Sequence, residues 1–97
     1  VPQKQRAGMQ GEYGGFLASI GQTDAAVKML NEAVQGGSER SRLPLGMALL
    51  SQGKKSESLK QLRIYVKKYP EDKRAAQLVD AVENDRFEVR RAEMPKR

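Results

Sequence analysis

The side chains of this sequence with the clearest chemical potential are basic. Eight lysines and arginines lie between Lys54 and Arg74, with three acidic residues among them, in a chain of 97 residues and net charge +6. Lys60, Arg63 and Lys67 follow one another at three- and four-residue steps, which places them on one face of a helix. A positively charged helix face of this kind could bind the phosphate groups of a nucleic acid or another polyanion.

The aromatic residues near this basic face do not support nucleic-acid binding. Tyr65 and Tyr69 fall on the packed side of the same predicted helix, and no recognised nucleic-acid motif is present. We therefore interpret the basic face as a solvated, convex surface and do not expect nucleic acid as the main partner. Association with RNA or another polyanion remains the alternative function.

Catalysis lacks its usual side chains here, because the sequence contains no histidine and no cysteine. This excludes disulfides, thiolate metal sites, imidazole bases and ligands, and the Ser/His and Cys/His nucleophile pairs. Carboxylates remain, but none forms a convincing catalytic pair. The composition therefore predicts a protein that is not an enzyme and that uses no metal ion or cofactor.

Length and hydropathy limit the size and location of the protein. A chain of 97 residues has room for one domain, with a core that is only marginally stable unless something extends it. No apolar run approaches the ~20 residues that span a bilayer. No segment has the form of a signal peptide, although one could already have been removed. We expect a soluble protein without a membrane span, either cytoplasmic or exported.

An internal repeat organises the chain. Glycines and large apolar residues recur at matching positions after 32 residues. The first copy contains Tyr13, Gly14, Leu17, Gly21, Leu30 and Val34, and the second contains Leu45, Gly46, Leu49, Gly53, Leu62 and Val66. A fixed period of this length indicates that one supersecondary unit has been copied and stacked beside itself.

The spacing of apolar residues predicts five helices, and no stretch shows the alternation of a half-buried strand. In the first helix, Phe16, Leu17 and Ile20 mark the apolar stripe. Glycine then ends the pattern at Gly21 and again at Gly53. The predicted N-caps of the following helices are Thr23 or Asp24, Ser38 or Ser41, and Ser56.

The predicted unit is a helix, a tight turn with glycine and a second helix. This unit occurs twice and is followed by a single helix, an order that resembles the layout of tetratricopeptide arrays. The family pattern is W-x2-L-G-x2-Y, then A-x3-F, then P. The second copy reads Arg42-x2-Leu45-Gly46-x2-Leu49, Gly53, Ser58-x3-Leu62 and Pro70; the first reads Gln10-x2-Tyr13-Gly14-x2-Leu17, Gly21, Ala26-x3-Leu30, Ala33 and Ser38. The period is shorter than the family's ~34 residues, and neither copy has the tryptophan.

The resemblance implies an all-α fold of antiparallel helix pairs, stacked as a short right-handed superhelix of about five helices. It divides the chain into a flexible N-terminal segment (1–6), a first helix pair (7–38), a second helix pair (39–72), a capping helix (73–91) and a basic C-terminal tail (92–97). The segment after Asn84 either extends the capping helix to about Arg91 or forms a basic linker.

The small residues of the repeat would let paired helices approach closely. Gly14 and Gly46 lack a Cβ, and Ala26 and Ser58 are the matching small residues on the partner helices. Large leucines would fill the space between the helices. The predicted structural repeat positions are Gly14, Gly21, Ala26, Leu30, Gly46, Gly53, Ser58, Leu62 and Pro70.

In tetratricopeptide proteins, the first helix of each pair lines a concave binding groove. The resemblance therefore implies a partner-binding groove formed by Gly8, Gly11, Gly15, Ala18, Ser19, Arg40, Leu43, Met47, Leu50, Ser51, Arg74 and Gln77. Chaperone-binding members hold a terminal carboxylate with Lys and Asn at positions that are Gly11 and Gly15 here, so we do not expect capture of an acidic tail. Leu43, Met47 and Leu50 suit an apolar peptide or an amphipathic helix.

Two features of this groove have alternative explanations. Leu43, Met47 and Leu50 could be covered by an adjoining repeat of a longer chain or by a second subunit, since two repeats are fewer than the three usually needed for stability. The glycines at 8, 11, 14 and 15 could admit a ligand or helix, or could mark an N-terminal segment that frays until it meets a partner. The sequence predicts an adaptor or scaffold that binds a protein segment or a copy of itself.

Overall fold

A computed structural model of the chain describes residues 3–84, and all regular structure in this range is helical. The helices are α1 (Gln3–Ser19), α2 (Thr23–Gln35), α3 (Arg42–Ser51), α4 (Lys55–Lys68) and α5 (Lys73–Glu83), and a short 3-10 helix (Glu39–Ser41) precedes α3. The prediction of an all-α fold with five helices is confirmed.

The two ends of the helical array differ in detail from the predicted division of the chain. α1 begins at Gln3, so residues 3–6 are helical where the sequence predicts a flexible segment over 1–6. α5 ends at Glu83. The predicted continuation of this helix over 85–91 and the predicted tail over 92–97 lie outside the described residues.

Helices that follow one another in sequence pack against one another in space. α1 packs chiefly on α2, and α3 chiefly on α4; we refer to these as the first and second pairs. α2 also packs on α3, which joins the two pairs, and α5 packs on α4 at the end of the array. Short connections make sequential neighbours into spatial neighbours, as is usual for helical hairpins.

Each pair turns through a glycine in the left-handed region of φ. Gly21 has φ 86° and Gly53 has φ 79°. In both turns the N–H group three residues beyond the helix donates to a carbonyl of the last helical turn: Gln22 N donates to Leu17 O, and Lys54 N donates to Leu49 O, each at 2.9 Å. A residue with a Cβ would be strained at this φ, so glycine fixes where α1 and α3 end.

The helix starts do not use the predicted side-chain caps. The N-cap residues of α2 and α4 are Gln22 and Lys54, and neither side chain accepts a hydrogen bond from the helix. The predicted caps Thr23, Asp24 and Ser56 lie inside the first turns of these helices. At α3, Ser41 occupies the N-cap position without capping, because its hydroxyl bonds that of Ser38 at 2.7 Å.

The same glycine–leucine contact closes both pairs. A Cβ built on Gly14 would lie 2.7 Å from Leu30 Cγ, and one built on Gly46 would lie 2.6 Å from Leu62 Cγ. Both leucines are fully buried. The predicted close approach of the helices at the two repeat glycines is therefore present, and each leucine occupies the space that a methyl group would need.

The core lies where the first pair meets the second. It is a cluster of five buried residues, with half-buried Leu17, Ala18, Val27 and Val34 packed around it. The five are Ala26, Leu30, Leu45, Ala48 and Leu49. α5 adds a smaller contact to α4 through buried Ala75 and Val82. Apolar burial at these two joints holds the array together.

The apolar stripe predicted for the first helix divides into a packed part and an exposed part. Leu17 is half-buried against the core, whereas Phe16 and Ile20 are exposed. The helical spacing of these three residues is present, but only Leu17 of the three packs on the core. The reason is tertiary: within residues 3–84, α1 packs chiefly on α2 and, to a minor extent, on the 3-10 helix and α3, and these contacts leave Phe16 and Ile20 uncovered.

Candidate functional site

Three adjoining clefts run along the side of the molecule where α1, α3 and α5 meet. The largest has a volume of ≈ 510 Å³. A second, of ≈ 290 Å³, shares Met47 and Leu78 with the first, and a third, of ≈ 340 Å³, shares Pro44 with it. We refer to these three clefts together as the central groove.

The largest cleft of the central groove is lined by small and apolar side chains from three helices. α1 contributes Gly15 and Ala18, α3 contributes Met47 and Leu50, and α5 contributes Leu78. Among residues 3–84, a Cβ built on Gly15 would meet no atom within 4 Å outside the backbone of its own helix, so this glycine opens the cleft and packing within that range does not require it. The result is a recess that can accept an apolar side chain.

Polar groups lie toward the ends of the central groove. Arg74 and Asp72 line the second cleft, and Arg40 and Glu12 line the third. The Arg40 guanidinium lies 4.3 Å from the centre of the Tyr69 ring, a cation–π contact that holds this side chain against the second pair. An occupant of the groove therefore meets an apolar middle between charged ends.

Hydrogen bonds fix the position of α5, which forms one wall of the central groove. The Tyr65 hydroxyl donates to Asp72 Oδ2 at 2.8 Å, and the backbone N–H of Ala75 donates to Asp72 Oδ1 at 3.2 Å. The bond from Tyr65, followed by the bond from Ala75, lowers the pKa of Asp72 below its ordinary value. Burial, followed by the bond to Asp72, raises the pKa of Tyr65.

A second polar cluster ties α3 to α4 behind the groove. Arg42 Nε donates to Glu39 Oε1 at 2.7 Å, and Arg42 Nη1 donates to Gln61 Oε1 at 2.7 Å. The bond from Arg42 lowers the pKa of Glu39. With two fixed partners, the guanidinium braces the start of α3 against the middle of α4.

The structure brings together eleven of the twelve residues that the resemblance implies for the groove. Those that line one of the three clefts are Gly8, Gly11, Gly15, Ala18, Ser19, Arg40, Leu43, Met47, Leu50, Ser51 and Arg74. Gln77 is exposed and lines none of them. Gly11 is buried, with Ser41 occupying the space beside its Cα, so it shapes the floor of the groove without being open to a partner.

Sequence reasoning missed four residues that line the largest cleft, namely Thr23, Pro44, Ala48 and Leu78. Leu78 had a usable signal, since it belongs to the predicted apolar stripe of the last helix, but only the packing of α5 on α4 places it in the groove. Pro44 lies in the first turn of α3 and joins two of the clefts. Its role as a wall depends on the position of α1, which the sequence does not specify.

The predicted basic face is exposed on α4. Lys60, Arg63 and Lys67 are all exposed. Arg63 is paired with Glu83 of α5 through Nη2 and Oε2 at 2.8 Å. Part of the positive charge of this face is therefore balanced by a neighbouring helix.

Residues 3–84 offer no group of three or more acidic, histidine or cysteine side chains placed to hold a metal ion. In the same range, no helix is long and apolar enough to cross a membrane. No protein-family model, no curated protein and no solved structure matches this chain.

Proposed function

We propose that this chain is a protein-interaction module of the tetratricopeptide type, which binds a peptide or helix in the central groove and catalyses no reaction. The observation that carries this proposal is the apolar cleft of ≈ 510 Å³ between α1, α3 and α5. Two residues that line this cleft are not needed for packing within residues 3–84. A Cβ built on Gly15 would meet nothing there within 4 Å outside its own helix backbone, and the Met47 side chain is 51% exposed.

The chemistry of the cleft selects the kind of partner. Its walls offer aliphatic and thioether groups, so the partner is expected to present an apolar side chain, as an amphipathic helix does. Met47 can adapt to partners of different shape, because its side chain is unbranched and polarisable. The basic groups at the ends, Arg40 and Arg74, would contact polar residues that flank this anchor.

The groove could also hold a second copy of the chain or an adjoining repeat. Leu43, Leu50 and Met47 would then be buried by that neighbour, as an apolar surface of a repeat array usually is. These occupants use the same walls as a peptide. The experiment below separates them because it measures peptide binding and self-association on the same samples.

The test uses the substitution Met47→Glu, which places a carboxylate in the middle of the groove. Peptides would be selected from a displayed library on the native chain, and the affinity of the selected peptides would be measured by fluorescence anisotropy. We expect Met47→Glu to weaken binding at least about tenfold, because a charge would be desolvated by an apolar partner. Ile64→Glu is the matched control, since Ile64 is exposed on α4 and lines none of the three clefts.

Two results would overturn the proposal. Selected peptides could bind native protein and Met47→Glu equally well, which would place their site elsewhere. Alternatively, the library could yield no binder while sedimentation shows that the native chain associates with itself and that Met47→Glu abolishes this association. The groove would then be a subunit interface.

The alternative function, association with RNA or another polyanion, is favoured by exposed Lys60 and Lys67 on α4. The pair between Arg63 and Glu83 counts against it, because it reduces the free charge of the face. A labelled single-stranded oligonucleotide distinguishes the two functions. Nonspecific attraction would be lost between about 50 mM and about 200 mM salt, whereas binding that survives would support the alternative.

A further inference from the structure

Four large apolar side chains lie exposed in one line, three along α1 and the fourth at Ile20, the residue that follows it. Met9 is 61%, Tyr13 52%, Phe16 56% and Ile20 54% exposed. We call these four residues the α1 seam. Steps of four, three and four residues separate them, which is the spacing of the contact positions in a coiled coil. The rings of Tyr13 and Phe16 stack with centroids 6.5 Å apart, so the middle of the seam is a continuous aromatic surface.

The internal repeat shows that this face of the helix is a packing face. Leu45 and Ala48 stand 32 residues after Tyr13 and Phe16, and they are 0% and 4% exposed. Both belong to the cluster where α2 packs on α3. The second copy therefore buries the surface that the first copy leaves open, and the α1 seam is larger and more apolar than its counterpart.

The bulk of the seam limits what can cover it. α2 approaches α3 closely because Ala26 and Ala48 are small at the contact. On α1 the position of Ala48 is taken by Phe16, so a helix shaped like α2 could not come equally near. The seam needs a partner that is itself bulky and apolar, and whose contacts follow the same spacing.

We propose that the α1 seam pairs with the α1 seam of a second copy of this chain, with the two helices antiparallel. The four positions are symmetric about a point midway between Tyr13 and Phe16. An antiparallel pair therefore sets Met9 of one copy opposite Ile20 of the other, and Tyr13 opposite Phe16. Every seam residue meets a seam residue of the other copy, as a two-fold interface requires.

Charge favours this direction over the parallel one. Lys4 and Arg6 are exposed at the start of α1, and no acidic residue lies in the first turn. A parallel pair would bring these basic turns together, whereas an antiparallel pair separates them by the length of the helix. The seam itself contains no ionisable group except the Tyr13 hydroxyl, so association rests on apolar contact.

The area of the seam predicts a weak, reversible dimer. An aromatic side chain buries roughly 150–250 Å² when covered, so each half-exposed seam residue offers on the order of 100 Å². Two copies of four residues remove roughly 800 Å² from water, and flanking side chains bring the total near about 1,000 Å², the lower limit of specific interfaces. We expect a dissociation constant on the order of 10–100 µM.

Sedimentation equilibrium of the native chain, from about 5 µM to about 500 µM, tests the pairing directly. The expected result is a monomer–dimer equilibrium that high salt does not weaken. Phe16→Glu should raise the dissociation constant at least tenfold. The matched control Ile64→Glu introduces the same charge at an exposed position outside both the seam and the central groove, and should leave the dissociation constant within about twofold.

Circular dichroism shows whether Phe16→Glu still folds, which we expect because the side chain is exposed. A native chain that stays monomeric over the whole range would overturn the proposal. So would a dimer that Met47→Glu disrupts and Phe16→Glu does not, because the central groove would then be the interface. Neither result depends on whether peptides bind in the groove.

The absence of cysteine allows a second test that does not rely on weakening the dimer. Met9→Cys and Ile20→Cys would be oxidised separately and as a mixture, at concentrations where the native chain is dimeric. Antiparallel pairing predicts efficient disulfide formation between the two variants in the mixture and little within either alone. Efficient disulfide formation within each variant alone would show a parallel pair and contradict the proposed arrangement.

Discussion

The two helix pairs share their internal contacts and differ in what covers them. Gly14 meets Leu30 in the first pair as Gly46 meets Leu62 in the second. On the outer face the pairs diverge, since Phe16 is exposed and its counterpart Ala48 is buried. A repeat of this kind thus specifies the inside of each pair through its own residues, whereas burial of the outer face depends on the next element in the stack.

The second pair and its junction with α5 also carry buried or half-buried hydrogen bonds, and within residues 3–84 the first pair has none of this kind between its helices. The Ser58 hydroxyl is buried and donates to Gly46 O at 2.7 Å, whereas the matching residue of the first pair is Ala26. Tyr65 bonds Asp72 at 2.8 Å, whereas the positions 32 residues earlier are Ala33 and Arg40. The second pair is therefore held by apolar contact and by a buried hydrogen bond, and Tyr65 ties it to the start of α5. The first pair is held by apolar contact, by its junction with the second, and by an exposed contact of 3.5 Å between Gln10 Nε2 and Glu32 Oε1.

The largest expected effect comes from truncating the two core leucines. Leu30→Ala and Leu62→Ala should each lower the free energy of unfolding by ~2–5 kcal/mol, because each removes a fully buried side chain from a tight site. Leu30→Ala should cost more, since Leu30 belongs to the cluster that joins the pairs. Urea unfolding measures both changes.

Ile64→Ala, at a half-exposed position of α4, is the control and should change stability by less than ~1 kcal/mol. A neutral Leu62→Ala would contradict the packing of the second pair. Equal losses in the free energy of unfolding for Leu30→Ala and Leu62→Ala would contradict the view that Leu30 stabilises both the first pair and its junction with the second pair.

A smaller effect is expected from adding a methyl group at glycine. Gly46→Ala should destabilise by ~1–3 kcal/mol, because the new Cβ would lie 2.6 Å from Leu62. Gly15→Ala should instead stabilise by up to ~1 kcal/mol, since its Cβ has free space and alanine favours the helix. We expect the unfolding temperature to fall for Gly46→Ala and to rise for Gly15→Ala. A change of the same sign in both variants would show that the close contact between Gly46 and Leu62 does not limit the packing of the second pair.

The smallest expected effect is on how the free energy of unfolding depends on pH, and it tests the hydrogen bond between Tyr65 and Asp72. Because the folded chain lowers the pKa of Asp72, its carboxylate contributes stability above the unfolded pKa of about 3.9, and this is lost as pH falls through the folded value. Between about pH 6 and about pH 3, Asp72→Asn should therefore lose stability less steeply than the native chain.

Tyr65→Phe tests the cause of this pH dependence, because it removes the hydroxyl donor and leaves the carboxylate in place. Its unfolding midpoint should also fall less steeply with acid than that of the native chain. Parallel acid profiles for the native chain and both variants would mean that the Tyr65–Asp72 bond between α4 and the start of α5 does not contribute to the stability of the folded chain.

The sequence by itself determined the local part of this structure. Helical spacing and the repeat glycines specify five helices and their turns, since Gly21 and Gly53 adopt a φ that other residues avoid. The contacts inside each pair follow from the same pattern, because a glycine and a leucine 16 residues later must meet when two helices fold back on each other. The groove residues are implied by the resemblance to tetratricopeptide arrays, and most of them line one of the three clefts.

Tertiary structure alone decided which apolar residues are buried and which of them line the central groove. Phe16 and Leu17 are adjacent and both apolar, yet one is exposed and the other half-buried, because α2 and α3 lie on only one side of α1. Leu78 lines the central groove only because α5 packs on α4 at the end of the stack. Burial depends on which neighbour reaches a face, and a residue's own type and spacing do not contain that information.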